Sequence, residues 1–570
     1  MNRLLHNNIV RAALTVAALV AVNAAGSCLF FRIDLTQEKR YTLAPITRQL
    51  MNGLDQPLQA TLYLSGELNP GFARLAKSAV ETIDELGVYA GRGIRTTMVD
   101  VPNLTKAEGD SLTALLDEWG MAGVPVFETT EDGRKTRSTV YPYVLIEYAD
   151  RQVMVNLLQN LPGLSGDENL NRSVENLEYC LTDGIRRVSD GSHPRIAFIE
   201  GHGEAEEIDV VEAADALARH FTVERGAIGT DAAILDPYSV IIIAKPSRRF
   251  SESDKYIIDQ YVMRGGKVLW LVDAVTMTLD SLRSSASTIG LLADFNIDDM
   301  LFRYGFRINP EVIEDAQCAM VPISVAQPGQ QPRIVPMPWR FSPLLQGNGL
   351  NPITRNVNAV RADFASYIDT VGIDLDLRRT VLLRSSAYTK ADATPVYATL
   401  ADIHRSPVRE EFNRSHLPVA VMAEGTFQSV FANRRKPREV TGAAKQLDRS
   451  RPTQMIVVAD GDIIRNDVRF RNAAEPRIVP LGYDEMSKQT FGNKDFIVNA
   501  VQYMADDAGW MSLRNRNFSL RLLDRRAIAE GTARWKAAAT ALPLAVLTAL
   551  GLAFVFIRRR RYGKHASRIE

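Results

Sequence analysis

Val240-Ile241-Ile242-Ile243-Ala244 carries no polar side chain until Lys245-Pro246 closes it. A short run of this kind, entered through the turn Pro237-Tyr238-Ser239, reads as a strand buried on both faces. The pattern repeats on either side. Arg195-Ile196-Ala197-Phe198-Ile199-Glu200 is a strand stopped by Gly201-His202-Gly203-Glu204, then Ile208 to His220 is a helix and Phe221 to Glu224 a short strand. Further on, Ser251 with Asp254 three residues later opens a helix bearing Tyr256, Ile257, Tyr261 and Val262, and Gly265-Gly266 stops it. Val268-Leu269-Trp270-Leu271-Val272 is a third apolar strand, ending at Asp273. Apolar strands alternating with helices at this spacing predict an α/β fold with an open parallel sheet and helices on both faces.

That pattern belongs to a unit spanning 193–505, and a separate α/β unit is expected over 32–165. There, Leu58 to Leu64 and Ile94 to Val99 read as strands, and Phe72, Leu75, Ala79, Ile83, Leu86 and Ala90 share one face of a long helix. Thr42 is placed to cap an earlier helix carrying Ile46, Leu50 and Met51. Thr105 to Trp119 is another helix, and Tyr143 to Tyr148 with Val153 to Leu158 forms a hairpin. Strand, helix, strand, helix, hairpin lies close to the thioredoxin plan, but without the C-x-x-C that redox exchange needs. A connector over 166–192 carries one amphipathic helix, Ser173 to Val188. Beyond Asp273, Ile297 to Tyr304 reads as a helix, Gln327 to Pro343 as an exposed loop and Asn433 to Arg451 as a mobile basic loop. Val381 to Ser385, Pro418 to Met422 and Met455 to Ala459 read as strands, and Asp495 to Met504 as a last helix.

Both ends carry membrane signals. Ala537 to Ile557 has no charged side chain and about 20 residues, the length of a transmembrane helix. Arg558-Arg559-Arg560-Arg561 follow, and clustered positive charge stays cytoplasmic, so 558–570 is expected as a cytoplasmic tail and 506–536 as the membrane-proximal segment outside. A basic 1–11 precedes an apolar 12–31, which is open to three readings. It is a signal peptide cleaved near Ala24-Ala25-Gly26-Ser27, an uncleaved anchor continuing through Cys28-Leu29-Phe30-Phe31, or a leader whose Cys28 is lipid-modified. Large residues directly after the small ones favour the anchor. The expectation is a two-pass protein of a bacterial inner membrane with its body on the periplasmic side.

Lys+Arg and Asp+Glu both number 67, so no net charge argues for nucleic acid. Three cysteines, one of them in the first apolar segment, make no disulfide framework. In an open parallel sheet, ligands bind beyond the carboxyl ends of the strands. The side chains placed there are Glu200, His202, Glu204, Lys245 and Asp273, candidates for holding a polar ligand. Catalysis has little support: there is no H-E-x-x-H and no G-x-S-x-G. Gly265-Gly266-Lys267 is followed by Val268 where a phosphate loop needs Ser or Thr. Asp460-x-Asp462 begins like a calcium loop but lacks the later glycine and glutamate. No catalytic residue, metal or cofactor is expected.

Across nearly the whole chain these pieces resemble the GldG family, auxiliary, substrate-binding-like components of ABC transport systems linked to gliding motility. The resemblance runs through Leu35-Thr36-Gln37-Glu38-Lys39-Arg40-Tyr41-Thr42-Leu43, Tyr63-Leu64-Ser65-Gly66-Glu67-Leu68 and Gly71-Phe72-Ala73-Arg74-Leu75. It continues in Glu175-Asn176-Leu177-Glu178-Tyr179, Ile199-Glu200-Gly201-His202-Gly203-Glu204, Asn351-Pro352-Ile353-Thr354-Arg355, Asp460-Gly461-Asp462 and Gly492-Asn493-Lys494-Asp495-Phe496. It implies that the 193–505 unit is class I glutamine-amidotransferase-like and, lacking that class's catalytic cysteine, binds without cleaving. It further implies an ABC-2 type permease subunit and a cytoplasmic ABC ATPase as partners, with an unknown polar ligand or exported polymer at the body. Two alternatives remain open: an envelope amidase or glycosidase working through His202 and Glu204, and a purely structural tether.

Overall fold

The computed structural model describes residues 14–20, 42–119, 121–129, 135–161, 164–189, 193–324, 334–372, 376–405, 408–471, 473, 475–515 and 525–562. Of the expected first membrane segment only 14–20 falls among them, as helix; Cys28, the Leu35 to Tyr41 motif and the end of the basic tail lie outside the described residues.

The first sheet is built from β1 (Leu58–Leu62), α1 (Pro70–Tyr89), β2 (Ile94–Met98), α2 (Lys106–Glu118), β3 (Tyr143–Tyr148), β4 (Arg151–Asn156) and α3 (Leu177–Ser189). Its order is β2-β1-β3-β4, with β1 and β2 parallel and the other pairs antiparallel. Asn69 starts α1 by accepting a hydrogen bond from the Phe72 amide, and Thr105 forms a capping box with Glu108 at α2. Leu75, Ala79, Ile83 and Leu86, one face of α1, bury against Leu58, Leu62 and Val144. Gly184 lets α3 lie close on this sheet, since a Cβ there would sit 2.5 Å from Val155 Cγ2. Two local expectations change. The early helix is Pro45–Asn52, and Ala44 rather than Thr42 stands at its N-cap. The connector holds two helices, because Gly166–Glu175 ends at Asn176 before α3 begins.

The second sheet collects β5 (Arg195–Glu200), α4 (Glu207–Ala218), β6 (Thr222–Ala227), β7 (Val240–Ala244), α5 (Glu252–Met263), β8 (Lys267–Leu271), β9 (Cys318–Ser324), β10 (Ile334–Gly347), β11 (Leu377–Arg384), β12 (Pro418–Gly425), β13 (Thr453–Val458) and α6 (Asn493–Ala505). Its order is β9-β10-β11-β12-β13-β8-β7-β5-β6, with the two-residue strand Val360–Arg361 also on β10. The run from β13 to β6 is parallel, as the apolar pattern predicts. From β12 onward the pairs are antiparallel, which corrects the expectation of a wholly parallel sheet. No α-helix lies between β12 and β13 among the described residues, and a parallel neighbour needs a crossover, usually helical. Alternate residues serve two cores: Phe198, Val240, Ile242 and Leu269 face α4 and α6, while Ile241, Ile243, Val268 and Trp270 face α5.

Two stretches expected as loops are held. Residues from Ile334 belong to β10. The basic stretch 433–451 is pinned where Gln260 of α5 bonds Leu447 in both directions, at 2.8 and 3.0 Å. By its contacts, Met1–Arg516 packs as one compact unit. Within it, the Tyr179 hydroxyl of α3 meets Met511 Sδ at 3.4 Å and the Arg514 guanidinium lies 5.4 Å above the Tyr179 ring. Asn517–Glu570 is a second unit containing α7 (Arg525–Tyr562), which departs from helical geometry at Gly531. Its stretch Arg534–Arg560 is long and apolar enough to cross a membrane, with Pro543 inside it.

Candidate functional site

Three adjacent parallel strands, β7, β8 and β13, deliver Lys245, Asp273 and the Asp460-Gly461-Asp462 turn to one end of the sheet. Lys245 Nζ sits 2.7 Å from Asp273 and 2.6 Å from Asp462. Burial alone would lower its pKa, but the two carboxylates outweigh burial and push it up, so the ammonium stays charged. Asp462 is held below the usual carboxylate range by Lys245 and Arg465 despite its burial. Asp273 is raised, by burial first and then by Asp462, against the pull of Lys245. Gly461 is a packing requirement: a Cβ there would lie 2.6 Å from Lys245 Cβ.

Asp460 organises the turn from beneath. It accepts the Asp462 amide at 2.6 Å and the Asp363 amide at 2.8 Å, and burial beside Asp462 and Asp273 raises its pKa well above normal. Arg465 ties Asp462 (2.8 Å) to Asp209 of α4 (3.2 Å), and Arg471 bonds Asp209 and Glu206. Beside this network lies a polar cavity of about 90 Å³, lined by Arg361, Asp363, Asp462, Arg465, Tyr483 and Asn493 among others. Asn493, at the start of α6, fixes the Arg361 backbone with a bond in each direction, at 3.0 and 2.8 Å.

The other expected site residues go elsewhere. His202 is buried, stacked on Phe250 with centroids 3.7 Å apart. Its Nδ1 meets Glu204 at 3.0 Å and its Nε2 meets Asp254 at 3.2 Å. Burial would lower the imidazole pKa, but the hydrogen bonds to Asp254 and Glu204 prevail and it is pushed up to about 9. At neutral pH both ring N–H groups therefore donate to carboxylates, and the ring is a brace between the β5 turn and the start of α5. Glu200 is half-exposed and pairs with Arg225 of β6 at 2.8 Å. Of the five candidates, His202 meets Glu204 and Lys245 meets Asp273, and neither pair lines the cavity.

What the sequence reading missed is the lining. Asp460-Gly461-Asp462 reads in the sequence as a strand end, a failed calcium loop and a resemblance motif, but not as part of a site. Arg361 arrives from a two-residue strand with no periodic signal and Asp363 from the bend after it, while Arg465, Asn466 and Asn493 arrive from turns and a helix start. Burial pushes Cys180 up to about 12 and Cys318 up to about 11, so neither described thiol is an activated nucleophile. Among the described residues no group of His, Cys, Asp and Glu is arranged to hold a metal ion.

A family model described as an ABC-type uncharacterized transport system matches residues 193–500, and a model for a domain of unknown function matches 37–147. No curated protein matches. Among solved structures the chain is similar to the mmIFT52 N-terminal domain, at 10% identity and a TM-score of 0.31, covering 55% of this chain and 98% of that one. It is also similar to a ThuA-like protein from Parabacteroides merdae, at 10% identity and a TM-score of 0.26, covering 55% and 90%. A third similar structure is PurLQS from Thermotoga maritima, at 10% identity and a TM-score of 0.19, covering 55% and 100%. At such scores these likenesses carry no argument about function.

Proposed function

The chain belongs to the ABC-type uncharacterized transport system family, and on that premise we propose that it is a non-catalytic, membrane-anchored auxiliary component of an ABC-2 type transporter. Its partners in this reading are a multi-span permease and a cytoplasmic ABC ATPase. The observation that carries it is the family match over 193–500, the stretch that contains the strand-end cluster and its cavity. The apolar stretch Arg534–Arg560 supports an anchor, and the four arginines from Arg558 to Arg561 favour a cytoplasmic end. With 12–31 as a second anchor, the protein is two-pass with a periplasmic body, of the gliding-motility-associated kind. The strand order of the first sheet supports a thioredoxin-like plan and the parallel half of the second an amidotransferase-like one.

The body serves to hold a ligand at the strand ends. Lys245, Asp273 and Asp462 make a rigid charged floor there, while Glu200, His202 and Glu204 brace the neighbouring turn. The envelope-hydrolase alternative asks His202 to accept a proton. Its imidazole is already protonated at neutral pH and shut between two carboxylates, which favours binding over hydrolysis. Cross-linking in native membranes followed by affinity purification of the full chain tests the assignment. An ATPase and a multi-span permease are expected in the eluate; their absence, with hydrolysis of envelope glycans or peptides by the pure protein, overturns it.

A further inference from the structure

The polar cavity does not stand alone. A second cavity of about 160 Å³ is lined on one side by Leu282, Val321, Ile323, Leu400 and Met486 and on the other by Asp484 and the Arg469–Glu485 ion pair. Arg361, Asp467, Tyr483 and Leu279 line both, so the two compartments share a wall. Arg361, at that wall, is already held charged by Asp363, Asp467 and Asp484, yet it keeps hydrogen-bond donors to spare. Its guanidinium has five N–H donors, and among the described residues it makes one hydrogen bond, Nη2 to Asp363 at 3.3 Å. Its Nε–H is buried with no partner, a costly state that an arriving anion relieves by drawing the guanidinium round. The other two arginines of the polar compartment are committed, Arg465 to Asp462 and Asp209, and Arg471 to Glu206 and Asp209.

We propose that the two compartments are one amphipathic site for a small carboxylate bearing an apolar side chain, either a free α-amino acid or the C-terminal residue of a peptide. Arg361 takes the carboxylate, matching its planar fork to the two oxygens. The apolar side chain enters the compartment walled by Val321, Ile323 and Met486. The apolar compartment, about 160 Å³, admits a leucine-sized group. This rests on the ligand-binding reading above and narrows it.

The test is isothermal titration of the full chain in nanodiscs, without partners, against L-leucine, glycyl-L-leucine, glycine and leucinamide. Leucine, glycyl-leucine or both bind, and which one does tells the free amino acid from the peptide terminus. Glycine, which lacks the side chain, and leucinamide, which lacks the carboxylate, bind at least tenfold more weakly. Arg361→Gln and Met486→Trp each weaken binding at least tenfold. Met486 is 37% exposed, so its replacement fills the apolar compartment from the surface and keeps the melting temperature, which guards against a misfolded Arg361 variant. Leucinamide binding as tightly as leucine, a folded Met486→Trp protein binding as the wild type does, or no binding of any of the four overturns the proposal. Because no transporter subunit is present, these outcomes are independent of the co-purification result.

Discussion

Two buried charge clusters sit within the same sheet, and they differ in what they leave over. Around His202, one cation meets two carboxylates, both ring nitrogens are used, and Phe250 covers the ring. Around Lys245, one cation also meets two carboxylates, but the network runs outward through Asp462 and Arg465 to a cavity where Arg361 is under-bonded. The first cluster closes on itself and fixes the chain. The second fixes the chain and still presents polar capacity to a space. A motif such as Gly-His-Gly-Glu draws the eye in the sequence, yet the lesson is that satisfied donors are scaffolding, and function is to be sought where satisfaction is incomplete.

The comparison breaks first at Lys245. Lys245→Ala leaves Asp273 and Asp462 buried around a missing cation, and we expect a loss of about 3–5 kcal/mol in denaturant unfolding. A loss under about 1 kcal/mol shows that the cluster is hydrated and that the strand-end floor is not rigid. Gly461→Ala comes next, at about 1–3 kcal/mol, because the new Cβ must displace the Lys245 backbone and Cβ rather than the free end of a side chain. His202→Gln is expected to cost about 1–3 kcal/mol at pH 6 while leaving ligand binding intact.

The pH dependence sharpens that last point. The folded imidazole titrates near 9, above its ordinary 6.5, so its contribution is fully present below about pH 6.5 and fades as pH rises through about 9. The stability gap between wild type and His202→Gln, followed by denaturant midpoints from pH 6 to 10, is expected to shrink over that window. A gap that grows with pH contradicts a protonated brace. The smallest effect belongs to Glu200→Gln, within about 0.5 kcal/mol, since the pair with Arg225 is half-exposed.

Much of the parallel half of the second sheet was legible because its strands are apolar on both faces and Ser251 caps α5 between two of them. Pro418 to Gly425 is just as apolar, so its hydrogen-bond direction left no trace in composition, and the antiparallel half went unseen. Lys245 and Asp273 were found because adjacent strands place their ends together. Arg361 was not, because it reaches the cavity from a strand of two residues held by Asn493, a contact across 132 positions of sequence.

The central claim is that the strand-end cavity is the working site and the His202 cluster is a brace. The most direct measurement is ATP turnover by the co-purified transporter complex in nanodiscs, comparing Met486→Trp with His202→Gln at pH 6.5. The account predicts at least a threefold change in ligand-dependent turnover for Met486→Trp and wild-type turnover for folded His202→Gln. The opposite pattern, with Met486→Trp silent and His202→Gln inactive, contradicts it.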